Sequence, residues 1–398
     1  MAGGSPKVMH TQRGQARRSR LVGRLVPLAL LVACAARGAA DDLFAPAPGS
    51  PLELPGSPTA VQPGDLDGDG CLDLVAAFGD PVSLRVLRGD GSGRFTPGPA
   101  QPLDLPAAAG ELVLADLDGD GHLDLGAATH DSYDVQLLWG DGRGGFPDAE
   151  RVRAKEGAHP HTHGLLAGDV DLDGKLDLLV VESNPDNVLC VLRNAGGRSF
   201  APAPGSPFDL GRGPYPSALA LLDGDQWPDL VSPDTQSDPP VLTLLRGDGR
   251  GGLDPMPIEV PVSLARPFFV AAGDLDGDRD LDLLVTHDDT TRASLLLNTG
   301  GAFAESPASP FELGGPAWYA VIADLNGDHC PDFATAGGSE VRVFVSDAGG
   351  RFAPAPGSPY AVAKGSWRLA LADLNRDGEA DLVTCGVEEH WISILLHR

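Results

Sequence analysis

Positive charge is scarce in this chain once its first forty residues are set aside. Seven of the 29 lysines and arginines (Lys7, Arg13, Arg17, Arg18, Arg20, Arg24, Arg37) fall there, leaving 22 against 56 acidic residues and a net charge of −34 over residues 41–398. So acidic a chain repels nucleic acid, and none is expected as a partner. The apolar run Leu25-Val26-Pro27-Leu28-Ala29-Leu30-Leu31-Val32 is too short to span a bilayer, which takes about 20 residues. Cysteine is sparse: beyond Cys34 there are Cys71, Cys190, Cys330 and Cys385, without the C-x-x-C spacing of zinc sites, and their positions assign no disulfide. Aromatic residues make up 6 %. No stretch has helical apolar spacing. The G-x-S-x-G nucleophile elbow and the repeated Asp-box of sialidase-type propellers are both missing, so no enzyme signature stands out.

What the chain has instead is aspartate at fixed intervals. The first instance is Asp65-Leu66-Asp67-Gly68-Asp69-Gly70-Cys71-Leu72-Asp73, with carboxylates at positions 1, 3, 5 and 9 of a tight turn. It recurs as Asp116, Asp118, Asp120 and Asp124; as Asp169, Asp171, Asp173 and Asp177; and as Asp274, Asp276, Asp278 and Asp282. Two later copies carry asparagine at position 3: Asp324, Asn326, Asp328 and Asp332, then Asp373, Asn375, Asp377 and Asp381. A degenerate copy in the fourth place has Leu221 ahead of Asp223, Asp225 and Asp229. First positions are spaced by 51, 53, 52, 53, 50 and 49 residues.

A solvated turn needs one Asp and one Gly, not four oxygen side chains at this spacing. Calcium takes six to eight oxygen ligands, and carboxylates alternating along a turn converge on one point. Position 7 then contributes a main-chain carbonyl: Cys71, His122, Lys175, Asp280, Cys330 or Glu379. About six Ca2+ sites are expected, with the fourth broken by Leu221 and the two asparagine-bearing sites weaker. Arg279 and His329 replace glycine at position 6 of their loops. EF-hands are excluded, because position 12 carries no glutamate and strand-like rather than helical residues flank the loops.

Each repeat of about fifty residues carries four strand signals. In the second they are Leu112-Val113-Leu114-Ala115, Asp124-Leu125-Gly126-Ala127-Ala128, Asp134-Val135-Gln136-Leu137-Leu138-Trp139 and a Pro-rich segment after Phe146. Proline suits an outer edge strand, and this period suits a propeller. The expected fold is all-β: a single seven-bladed β-propeller of four-stranded blades over residues 41–398. The segment Phe44-Ala45-Pro46-Ala47-Pro48-Gly49-Ser50-Pro51 repeats at 200–207 and 352–359, while the chain ends on a third strand, Trp391-Ile392-Ser393-Ile394-Leu395-Leu396. An N-terminal outer strand is therefore expected to complete the seventh blade and close the ring.

The D-x-D-x-D-G-x-x-D loop, the V-x-L-L strand, the Gly-rich turn and the following Phe together resemble the FG-GAP/VCBS repeat family, which is similar to the β-propeller of integrin α subunits. The resemblance covers about 43–398. It implies that the residues at positions 1, 3, 5 and 9 ligate calcium on one face and that ligands meet the opposite face.

That opposite face would hold His159, His161 and His163, with Tyr133, Tyr215, Phe268, Trp318, Tyr319, Trp367, His390 and Trp391. A surface for an extracellular glycan or protein is one reading, with His161, His163, Tyr215, Trp318, Tyr319, Trp367 and Trp391 as the ligand-binding residues. Rings plugging the centre of the propeller is the other. The alternating histidines read either as a transition-metal site or as a loop. Residues 1–40 read as an export leader. Within it Leu31-Val32-Ala33-Cys34 resembles a lipobox, with Cys34 as the lipidated residue, and cleavage after Ala40 is the alternative. The expectation is a monomeric, calcium-stabilised binding or adhesion module, secreted or lipid-anchored at the cell envelope, that touches the membrane only through such an anchor. A polysaccharide lyase on the same propeller is the alternative.

Overall fold

The computed structural model describes residues 42–347 and 350–398; the leader, with Cys34, lies outside the described residues. The second strand of each repeat is a run of small and branched apolar residues, and that run dictates the architecture. Leu74, Val75, Ala76 and Ala77 are all buried, as are Leu178 to Val181 and Leu283 to Val285. A strand buried on both faces needs a packed layer on each side. Here those layers are the neighbouring blades.

Seven antiparallel sheets form the seven blades of a propeller. Blade 1 runs Pro58–Gly64, Asp73–Gly79, Val82–Gly89 and Phe95–Pro102, and blade 2 runs Glu111–Ala115, Asp124–Ala128, Asp134–Trp139 and Asp148–Arg153. Inner strands Thr162–Gly168, Ala218–Ala220, Pro267–Gly273, Tyr319–Ala323 and Ser366–Ala372 begin blades 3 to 7. Apolar clusters fill the interfaces. Ala60, Val75 and Leu84 of blade 1 meet Leu112, Leu125 and Leu138 of blade 2, and Val61 and Leu74 of blade 1 meet Val383 and Ile392 of blade 7. Each such fully buried Leu, Val or Ile contributes about 1.5–3 kcal/mol relative to exposure.

The ring closes as expected. Phe44–Pro46 pairs antiparallel with Trp391–His397, Phe44 opposite His397 and Pro46 opposite Leu395. Leu52–Glu53 extends the pairing to Ile392 and Trp391. The recurring Pro-rich segment explains the fit. Ser206 Oγ accepts from Val191 N in blade 3 (3.0 Å), Ser358 Oγ from Val343 N in blade 6 (3.0 Å), and Ser50 Oγ from Ile394 N in blade 7 (2.8 Å). The N-terminal copy thus does for the last blade what the internal copies do for theirs.

Candidate metal centres and the face opposite them

Every Asp loop joins the first and second strands of its blade, so all seven open on one face. In the first, Asp65 accepts from the amides of Gly68 (2.8 Å) and Gly70 (3.0 Å), and Cys71 N donates to Asp69 (2.7 Å). Loops 2 and 5 repeat this at Asp116 and Asp274. Outside the broken fourth loop the turn is left-handed at position 6, and Arg279 (φ 83°) and His329 (φ 65°) adopt that conformation where Gly70 and Gly121 sit elsewhere. Glycine is there to avoid the Cβ strain that those two residues bear.

Carboxylate oxygens come within 4.8 Å of one another in four loops: Asp65, Asp67 and Asp69; Asp116, Asp118 and Asp124; Asp169, Asp171 and Asp177; Asp274, Asp276 and Asp282. These all-oxygen donor sets can hold a hard divalent cation. In loops 6 and 7 the position-3 amide turns onto its neighbour, Asn326 to Asp328 at 3.1 Å and Asn375 to Asp377 at 2.8 Å. In loop 4, Leu221 is exposed and Arg246 lies 3.4 Å from Asp223.

Position 9 has a second task. Asp124 Oδ2 accepts from Leu117 N (2.9 Å), and Oδ1 accepts from Gly140 N, just past the third strand (2.8 Å). The same bridge recurs at Asp229, Asp282, Asp332 and Asp381. Burial raises the pKa of these carboxyls, to about 6 at Asp282 and Asp381 and about 7 at Asp332. Asp229 keeps this role in the broken fourth loop, which explains why an aspartate persists there.

The loops also join blades. Gly144 N of the blade 2 turn donates to Leu66 O of the first loop (3.0 Å), Asn194 Nδ2 of blade 3 to Leu117 O (2.7 Å), and Asn298 Nδ2 of blade 5 to Leu222 O (2.7 Å). A cation in a loop would therefore rigidify an interface between blades as well as a turn.

On the opposite face, His163, Tyr215, Phe268, Trp318 and Trp367 each stand six residues ahead of the first position of their loop, in blades 3 to 7. His163, Phe268 and Trp367 fall where the inner-strand register shifts, and such a bulge re-aims a side chain. The rings touch in series: His163 stacks on Tyr215 (4.2 Å between centroids), Tyr215 meets Phe268 (4.6 Å), Phe268 meets Trp318 (5.1 Å), and Trp318 stacks on Trp367 (5.2 Å). Thr59 and Gly110 take the equivalent positions in blades 1 and 2. Arg368 of blade 7 bridges that gap, donating to Gly110 O at 2.5 Å and pairing with Glu111. The belt therefore fills the centre of the ring. Phe268 is buried, and Tyr215, Trp318 and Trp367 are half-buried.

Two rings expected on the binding surface are not part of this belt. Tyr319 is 6 % exposed, packed on Phe269 with its hydroxyl engaged by Arg368, because its inner-strand position faces blade 7. Trp391 stands apart from the belt, paired with Glu53 in the closing strands. A cavity of ≈ 520 Å³ opens beside Trp318, between blades 5 and 6. His287, Asp288, Asp289, Arg292 and Pro316 line it with that ring, and Arg266 pairs with both aspartates.

Of the three alternating histidines, His161 and His163 meet (4.6 Å between centroids), whereas His159 is exposed and outside the cluster. The third member is His130, from the turn between the second and third strands of blade 2, 4.0 Å from His161 and 5.2 Å from His163 by centroid. Sequence reading missed it because the contact crosses between blades. Its place in a second-to-third-strand turn, on the face of the inner-strand starts, is the one signal that could have found it.

No curated protein matches the sequence. Solved structures share the fold. BBS1N, in complex with ARL6DN, is 15 % identical, with 90 % of this chain and 98 % of that one covered and a TM-score of 0.62. A lectin of Agrocybe aegerita that specifically recognises non-reducing terminal N-acetylglucosamine is 20 % identical over 77 % of this chain and 80 % of its own, with a TM-score of 0.54. A putative 6-phosphogluconolactonase of Bacteroides fragilis is 16 % identical over 77 % and 85 %, with a TM-score of 0.58. These likenesses concern the fold alone. The FG-GAP-like repeat matches residues 65–127, 116–180, 169–232, 222–285, 274–335 and 324–384, each segment running from one loop past the next. With the repeat matched from the first loop to the last, the chain belongs to the FG-GAP-like repeat family.

Proposed function

We propose that the protein is an exported, calcium-stabilised binding module that takes a glycan on the face opposite its Asp loops. The cavity beside Trp318 carries this reading. It combines a half-buried indole with Asp288, Asp289 and Arg292, a ring platform beside hydrogen-bonding groups that suits a sugar ring and its hydroxyls. The N-acetylglucosamine-recognising lectin, which is similar in fold, supports this choice of ligand. Calcium would be held by Asp65, Asp67 and Asp69 and by the converging carboxylates of loops 2, 3 and 5, where it would neutralise gathered charge and brace the blade interfaces. Export rests on the basic, then apolar, leader.

A glycan array probed with parent protein, Trp318→Ala and Asp289→Asn tests the reading. Binding of a glycan class by the parent, lost in both variants with unchanged Tm, is the expected result. Binding that survives both variants would move the site elsewhere, and release of shortened or unsaturated products would favour the lyase alternative.

A further inference from the structure

The three-histidine cluster is used by neither the calcium loops nor the cavity at Trp318. His130, His161 and His163 each present a ring nitrogen within 4.8 Å of the other two. Contacts at Nδ1 reveal how two of the rings are set. His130 Nδ1 lies 2.9 Å from Asp131 Oδ1, and His161 Nδ1 lies 2.9 Å from the carbonyl of Asn184. Each partner accepts only, so Nδ1 carries the proton in both rings and Nε2 keeps its lone pair. Metal-ligating histidines are held in this way, by a carboxylate or carbonyl on the far nitrogen. In His163, Nε2 is buried without a hydrogen-bond partner, while the ring stacks on Tyr215. A buried polar atom left unsatisfied calls for an explanation, and an ion shared with two neighbouring imidazoles supplies one. Burial holds His163 neutral, with a pKa of about 3.

We propose that His130, His161 and His163 form a binding site for one divalent transition-metal ion of the zinc class, at the centre of the face opposite the Asp loops. Imidazole nitrogens favour zinc, copper, nickel and iron over the hard ions that carboxylates favour, so the two faces would select different metals. Tetrahedral zinc with bonds of about 2.0–2.1 Å sets its nitrogens roughly 3.3 Å apart, so closure needs a movement of at most about 1.5 Å. His130, on an exposed turn, is free to make it. Three histidines leave the fourth position of a tetrahedral ion to water or to an incoming ligand. Nearby Arg368, whose charge would oppose the ion, is already paired with Glu111.

The test is calorimetric titration of the calcium-saturated protein with ZnCl2, because saturating calcium occupies the oxygen-ligand loops. The parent should take up one more Zn2+ than the variant carrying His130→Ala, His161→Ala and His163→Ala, and should show a visible Co2+ absorption band that the variant lacks. Asp131→Asn, which touches only the far side of His130, should weaken zinc binding by about 10–100-fold. His130→Ala, on its exposed turn, covers the case in which the triple variant fails to fold. It should keep the parent Tm in calcium while losing at least about tenfold in zinc affinity, as loss of a ligand costs no less than loss of its support. Equal zinc uptake by parent and triple variant, or unchanged affinity in a folded His130→Ala protein, overturns the proposal, whatever the outcome at the Trp318 cavity.

Discussion

Arg88, from the end of the third strand of blade 1, holds Asp67 of the first loop at 2.8 Å. The same guanidinium reaches Asp73 at 3.0 Å, which ties positions 3 and 9 together and leaves Asp65, Asp67 and Asp69 as the converging set. Arg193 and Arg246 occupy the corresponding place in blades 3 and 4 and pair with Asp171 and Asp223. Blade 2 has Trp139 there; Arg198 of the next blade lies over that ring at 4.7 Å and meets Asp118 at 2.7 Å. A fixed positive charge thus stands beside position 3 in each of the first four loops.

That charge competes with a cation. Replacing Arg88 with Ala should strengthen calcium binding while lowering Tm in chelator, where the guanidinium is the remaining counter-charge. Arg88 is 37 % exposed by side chain, so the coupling is screened. It amounts to roughly 1 kcal/mol or less, a gain of no more than about fivefold in affinity. Calorimetric titration of the variant with calcium should show this shift. Weaker binding than in the parent would mean that Arg88 supports the site and does not compete for it.

Calcium removal should lower Tm steeply and reversibly. At calcium ten times Kd, one site stabilises by about 1.4 kcal/mol, and four independent sites, one in each converging loop, by roughly 6 kcal/mol, comparable to the stability of a whole domain. Magnesium, which demands a tighter octahedron, should restore Tm poorly. The loops should be unequal. Asp67→Ala removes a member of a converging cluster and should shrink the calcium-dependent gain in Tm. Asp223→Ala should leave that gain unchanged, because Leu221 has already removed the first ligand. Scanning calorimetry with calcium and with chelator separates the two. A melting curve indifferent to chelator would remove calcium from this account.

Spacing along the chain carried the fold well. Seven loop positions and one recurring Pro-rich segment were enough for seven blades and their closure, because each blade is built from contacts within about fifty residues. Contacts between blades were less legible. The pairing of Arg198 with Asp118 spans 80 residues, and His130 reaches His161 and His163 from the blade before. The ring belt was legible in part: its members were picked out as aromatic, but the inner-strand bulges that re-aim His163, Phe268 and Trp367 are revealed only by pairing registers. Tyr319 follows Trp318 directly, and one step along a strand turned it from the centre into the interface with blade 7.

Closure should be indispensable. Phe44 is 1 % exposed and meets Tyr360 and His397 edge-on at 5.7 and 5.6 Å. Phe44→Ala should cost about 3–5 kcal/mol. Deleting residues 42–54 would leave the edge of Trp391–His397 unpaired, which should produce aggregation. Light scattering and thermal melts check both. A truncated protein as soluble and stable as the parent would mean that the ring does not close through this strand.

Acid should act through His287. This ring is 2 % exposed at the end of the second strand of blade 5, with Nδ1 3.0 Å from Ala265 O and Nε2 2.9 Å from Ser294 Oγ. The carbonyl can only accept, so Nδ1 carries the proton and Nε2 accepts from the hydroxyl, leaving the ring neutral. Burial lowers its pKa from 6.5 to about 4, partly offset by the Ala265 hydrogen bond. The unfolded chain therefore binds a proton between these values that the folded protein does not. The resulting stability is complete above about pH 6.5 and is lost as pH falls through about 4; the full amount is roughly 3 kcal/mol. His287→Gln preserves a polar side chain for Ala265 and Ser294 but removes the titration. Urea unfolding of both proteins in chelator at pH 7, 5.5 and 4 should show a loss on acidification that is smaller in the variant, by up to that amount. Working in chelator keeps calcium release, which acid also promotes, out of the difference. Parallel curves for the two proteins would mean that His287 is protonated as readily in the folded state as in the unfolded chain.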